Sequence, residues 1–129
     1  MQLNYDCIRD VLLFLEKHLA VDENLCFSRM SLDDIMESTL ISDRYSVNEV
    51  AYTIHNLYQC EFIDAIVDDS DDELNYIVFD ITYIGHEFLS SVRNDNIWNK
   101  IKEQLLSIKI TSIPAIVKCA DSILTALIK

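Results

Sequence analysis

Residues 45–81 read YSVNEVAYTIHNLYQCEFIDAIVDDSDDELNYIVFDI, and the change of period inside this stretch decides the fold class. Ser46 and Glu49 have the S-x-x-E spacing of a capping box, in which each side chain satisfies a backbone N–H near a helix start. Val47, Val50, Ala51, Ile54, Leu57 and Tyr58 then recur at helical intervals, which predicts an amphipathic helix over 46–60. After it EFIDAIVD and LNYIVFDI, rich in Ile, Val, Phe and Tyr, predict two strands joined by the acidic loop DSDDE. A capped helix running into a hairpin is the distinguishing half of a winged-helix domain. Residues 46–60 would be its recognition helix and 61–80 its wing.

The flanking segments extend this pattern. Upstream, Ile8, Val11, Leu12, Leu15 and Leu19 are spaced along one face of a helix over 3–19, with Asp6, Arg9, Asp10, Glu16 and Lys17 opposite. A polar connection over 20–30 leads to Ser31, an N-cap whose following acids, Asp33 and Asp34, complement the dipole of a short helix reaching about Thr39. Downstream, Thr82 can cap a helix that begins near Tyr83 and turns Phe88, Leu89 and Val92 inward. A break at 93–96 precedes a helix marked by Ile97, Trp98, Ile101, Leu105 and Ile108. Thr111 or Ser112 can cap a last helix, with Pro114 in its first turn and Ile116, Ala120, Ile123, Leu124 and Leu127 apolar. The expectation is a mainly α (α+β) protein of one domain. It has a winged-helix-like core over 1–93 and helices over 94–129 that pack on that core or form a dimer interface.

Composition agrees with such a fold. The 129 residues suffice for one hydrophobic core, half of them are apolar, and Gly and Pro occur once each. The N-terminus MQLNYDCIRD lacks the basic start and uncharged run of a signal peptide, and Lys118 and Asp121 interrupt the most apolar stretch well short of the roughly 18 uncharged residues a membrane span needs. Cys7, Cys26, Cys60 and Cys119 form no C-x-x-C pair, so reduced thiols in a cytoplasmic protein are expected.

Three motifs bear on chemistry. His86-Glu87 resembles the start of a helical zinc-protease motif, but the position of the second histidine is Ser90. DDSDDE resembles a calcium loop. Counted from Asp68, the sixth and twelfth positions that should be Gly and Glu hold Glu73 and Phe79; counted from Asp69, they hold Leu74 and Asp80. His18 and His55 each stand alone on a helix. No nucleophile, base and charge stabiliser can be proposed together, so the expectation is a non-enzymatic protein with no metal or cofactor. Gly85 is then architectural, since a missing side chain lets its helix pack close to the sheet or to the first helix.

Three blocks, LNYDCIRDVLLFLE, YSVNEVAYTIHNLYQCEFIDA and DITYIGHEFLSSVRNDNIWNKIK, resemble the bacterial and phage family catalogued as domain of unknown function 2513. GHEFL…VR…W is the most specific of them. The resemblance implies a small cytosolic protein, often carried by phages or prophages, with a winged-helix-like core; it carries over no catalytic residue. The chain departs from the family at Gln59-Cys60-Glu61, where an Ala-Gly-like helix exit is usual.

Charge bears most directly on function. The net charge is −12, and residues 45–92 contain 10 acids with no Lys or Arg. Duplex DNA is bound largely through cations that displace its counterions, so a recognition helix and wing of this composition would repel it. An acidic face with Tyr suits a protein partner, and it can engage the basic groove of a nucleic-acid-binding protein. The expected partner surface is Tyr45, Glu49, Tyr52 and His55 with Asp68, Asp69, Asp71, Asp72 and Glu73. Ile116, Ile123, Leu124 and Leu127 are the expected dimer interface. The alternative, a DNA-binding regulator, requires Arg29, Arg44, Arg93, Lys100 and Lys102 to converge in space.

Overall fold

Helix starts in this chain are set by short polar side chains. The computed structural model describes residues 2–69, 75–108 and 112–128. Asn4 caps α1 (Tyr5–His18), its side chain accepting from the Cys7 N–H. Ser31 and Asp34 form a reciprocal capping box on α2 (Leu32–Met36), and Ser38 caps α3 (Thr39–Ser42). Ser46 and Glu49 form the expected box on α4 (Val47–Gln59). Thr82 accepts from the Gly85 N–H at the start of α5 (Tyr83–Val92). Asn94 Oδ1 accepts from the amides of Asn96 and Ile97 at the start of α6 (Asp95–Ile108), and Ser112 caps α7 (Ile113–Ile128). Each cap satisfies a donor that the first helical turn leaves without a partner.

The sheet is antiparallel, three-stranded and ordered β1-β3-β2: β1 (Met30–Ser31), β2 (Ile63–Asp68) and β3 (Asn75–Ile81). The hairpin strands are those expected. β1 was not expected, and the short helix read as reaching Thr39 is two pieces, α2 and α3. The first has a tertiary cause, whereas the second is local, Ser38 capping α3 as a new helix. β1 is only two residues long, and it pairs Met30 with Val78 and Ser31 with Ile77, far away in sequence. A β-bulge opposite the Asp64–Ala65 step leaves Phe79 outside the β2 ladder, where its ring meets Phe27 edge-on at 6.0 Å.

The turn from α4 into β2 is a Schellman motif in which the Phe62 N–H donates to Leu57 and the Glu61 N–H to Tyr58. It places Glu61 at φ 62°, the left-handed region that glycine adopts without cost. The departure at Gln59-Cys60-Glu61 therefore does not loosen the turn; it makes a side-chain-bearing residue hold a strained conformation.

α1 packs against α4, α5 and β3, and α7 against α5 and α6, so residues from α1 through α7 share one buried cluster. The only glycine sits where α5 crosses the Schellman turn. A Cβ on Gly85 would lie 2.2 Å from the Phe62 carbonyl oxygen and 2.7 Å from Ile81 Cγ2. Close approach to the edge of the sheet is thus what this glycine permits.

Candidate functional site

The polar face of α1 is occupied in holding the chain together. Asp6 Oδ1 accepts from the Trp98 indole (2.9 Å) and from Lys102 (2.9 Å). Arg9 donates to the carbonyls of Val92 (2.8 Å) and Arg93 (2.6 Å) and pairs with Asp95 (2.7 Å). Asp10 accepts from Arg44 and from the Tyr45 hydroxyl. Glu16 takes both arms of Arg93 (2.8 and 2.6 Å). Partial burial opposes ionisation of Asp6, but the hydrogen bonds from Trp98 and Lys102 outweigh it and hold the carboxyl below its usual value. The two-armed bond from Arg93 lowers Glu16 in the same way.

These pairs determine what the basic residues can do. Arg44, Arg93 and Lys102, three of the five cations that a DNA-binding face would need to gather, are each committed to a carboxylate. Arg29 and Lys100 are exposed on separate elements, the connection before β1 and α6. The histidine–glutamate motif is also absorbed: Ser90, where a second zinc-binding histidine would stand, hydrogen-bonds the His86 carbonyl. Among the described residues no group of His, Cys, Asp and Glu is placed to hold a metal ion, and no helix is long and apolar enough to cross a membrane.

The expected partner surface divides. Tyr45 is only 6% exposed, and its hydroxyl donates to Asp10 (2.6 Å). Burial and that bond raise its pKa, so it is a core residue and leaves the candidate surface. Glu49 is spent on the capping box and on Asn4, whose Nδ2 donates to it at 2.9 Å. Tyr52 is half-buried on α4. His55 Nδ1 is hydrogen-bonded to the Tyr76 hydroxyl (2.6 Å), and Tyr76 packs on Tyr58 with centroids 5.1 Å apart, a cluster that ties α4 to the hairpin. Asp68 and Asp69 are exposed at the far end of β2. Asp71, Asp72 and Glu73 lie outside the described residues.

The expected dimer interface divides as well. Ile116 and Ile123 are buried in the chain's own core against α5 and α6, and Leu124 is half-buried. Leu127, 57% exposed, is the one of the four that faces solvent. The apolar character of α7 is therefore met within the chain.

Two neighbouring grooves were not anticipated. One, of about 600 Å³, runs between the end of α4, the start of β2 and the start of α5. The other, of about 400 Å³, lies between α5 and α7. Ile84 lines both and is 48% exposed; Tyr83 beside it is 77% exposed. Tyr83 could have been found from sequence, because it lies off the inward set Gly85, Phe88, Leu89 and Val92. Ile84 could not, since it stands four residues before buried Phe88 and reads as core.

These features define a small α+β protein of net charge −12 in which Arg9, Arg44, Arg93 and Lys102 are held in ion pairs with the chain's own carboxylates. The chain matches the family described as "Hypothetical protein (DUF2513)" over residues 2–111, and it belongs to that family. It is also similar to an "Uncharacterized protein" of Haemophilus influenzae (strain ATCC 51907 / DSM 11121 / KW20 / Rd), 28% identical over 132 residues and covering 99% of each chain. No solved structure matches it.

Proposed function

We propose that this protein is a non-enzymatic interaction module on a winged-helix-like core, and that its partner is a basic, nucleic-acid-binding protein. The element order supports the winged-helix reading: α1, β1, α2, the short α3, α4, then the β2–β3 hairpin, with β1 added to the hairpin's second strand. α4 would be the recognition helix and β2–β3 the wing.

One observation carries the functional reading. The arginines flanking the acid-rich segment, Arg44 and Arg93, are turned back onto Asp10 and Glu16, and the helix and wing carry no Lys or Arg of their own. Such a face repels phosphate and attracts a basic groove, as nucleic acid itself does. The phage setting that the family resemblance implies suits an inhibitor of a host protein that handles nucleic acid.

A mobility-shift titration with duplex DNA at low salt tests the proposal. No shift is expected. A shift that weakens steeply as salt rises would overturn it in favour of a DNA-binding regulator.

A further inference from the structure

We propose that the paired grooves beside Ile84 receive a basic amphipathic helix from a partner protein. The inference rests on the interaction-module reading and gives it a location. The grooves have an apolar floor: Ile63, Phe62 and Phe88 lie at their base, with Tyr83 and Ile84 projecting from the first turn of α5. Large apolar side chains held this far out of the core are the kind of anchor that helix-in-groove recognition uses.

The rim supplies the charge complement. Glu61 and Asp64 line the first groove, Glu87 and Asp121 the second, and no Lys or Arg among the described residues lines either. Among the described residues these four carboxylates have no ion-pair partner, whereas those on α1 are matched to Arg and Lys. Asp64 also stands directly across the strands from Asp80, a like-charge juxtaposition that an incoming cation would relieve. An apolar ligand would leave the rim uncompensated, and an acidic one would be repelled. A helix with leucines along one face and lysines along its flanks satisfies both floor and rim.

The test uses the full chain and a fluorescein-labelled synthetic helix of alternating Leu and Lys blocks, with a lysine-only peptide of equal charge as comparison. Saturable binding that weakens with salt is expected, and the lysine-only peptide should bind about tenfold more weakly because it lacks the apolar face. Y83A/I84A and, separately, E87Q/D121N should each weaken the amphipathic helix about tenfold. D33N/E37Q, which removes the same charge from exposed α2 and its end, should stay within about twofold of wild type. All four altered apolar and acidic groove positions are at the surface, and circular dichroism confirms that each variant is folded.

No binding by wild type, equal binding of the lysine-only peptide, unchanged binding by Y83A/I84A, or an equal loss in D33N/E37Q would each overturn the inference. The module reading fails separately, through a salt-sensitive shift of duplex DNA. A chain that shifts no DNA and binds the amphipathic helix independently of Tyr83 and Ile84 keeps the module and loses the groove.

Discussion

Replacing Gly85 by Ala sets two calculable effects against each other. Gly85 is in the first turns of α5, where alanine gains about 1 kcal/mol of helix propensity over glycine. Against that, the new Cβ would sit 2.2 Å from the Phe62 carbonyl oxygen and 2.7 Å from Ile81 Cγ2, well inside van der Waals contact. The oxygen cannot simply rotate away, because it accepts the Thr82 N–H at 3.0 Å, the bond that joins the Schellman turn to the start of α5. Moving α5 instead would separate Phe88 from Phe62, whose ring centroids are 5.0 Å apart.

Overpacking of this kind costs about 1–3 kcal/mol, and a weakened backbone hydrogen bond adds about 1 kcal/mol. After the propensity gain is set against these, a loss of roughly 2–3 kcal/mol remains at the upper end of packing strain. For 129 residues the unfolding entropy is about 0.27 kcal/mol/K, so the melting temperature should drop by roughly 7–11 °C. The only tryptophan, Trp98, is buried, so its emission follows unfolding directly in thermal and urea melts. Ser90→Ala, on the exposed face of the same helix, gains propensity without a steric clash and gives up only the exposed bond to the His86 carbonyl, so it should be neutral or slightly stabilising. G85A melting at or above wild type would refute the argument, because the sign itself separates steric exclusion from propensity.

Other substitutions and conditions give outcomes of known sign. Glu61→Gly removes a side chain from φ 62° and should raise stability by about 0.5–1 kcal/mol, the left-handed penalty less glycine's added freedom when unfolded; a loss in urea melts would contradict the Schellman geometry. Asp6 and Glu16 have carboxyl pKa values lowered in the folded state, so their contribution is present above the unfolded values of about 4 and is lost as pH falls through the folded ones. Acid melts should show that fall, and Asp6→Asn should flatten it. Burial pushes the Cys7 thiol up to about 11, with the Thr53 hydroxyl 3.3 Å from its sulfur. Iodoacetamide on the native protein should therefore label exposed Cys26 first and Cys7 only after denaturation, as read by peptide mass spectrometry.

The parts of the fold that could be read from sequence are those decided locally. Ser46 with Glu49, and Thr82 before Tyr83, announce helix starts because the capping atoms lie three residues from the amides they satisfy. β1 could not be read, since a two-residue strand exists only through pairing with Val78 and Ile77. Tyr45 illustrates the same limit at the candidate site: it precedes the N-cap, so helical periodicity says nothing of it, yet it joins the buried cluster with its hydroxyl bonded to Asp10 in α1. α7 is the converse case. Its apolar face correctly signalled burial, but sequence alone could not say that α5 and α6 would cover Ile116 and Ile123.

The family-like blocks acquire a physical meaning from this arrangement. LNYDCIRDVLLFLE and GHEFLSSVRNDNIW are far apart in the chain, yet Asp6 meets Trp98, Arg9 meets Val92, Arg93 and Asp95, and Glu16 meets Arg93. Their polar residues thus form one clasp between α1 and the α5–α6 junction. A clasp of this kind consumes cations, and the chain has only 10 Lys and Arg for 22 acids. The acids left over cannot be paired wherever they lie. They include Glu61, Asp64, Glu87 and Asp121, around the same grooves that hold Tyr83 and Ile84 out of the core. Holding the fold together and presenting an acidic face are therefore two results of one distribution of charge. A substitution that frees Arg93 from Glu16 should weaken the fold and partly neutralise the acidic field, so a lower melting temperature and weaker binding of the synthetic basic helix should appear together in that variant, whereas Y83A/I84A should weaken binding alone.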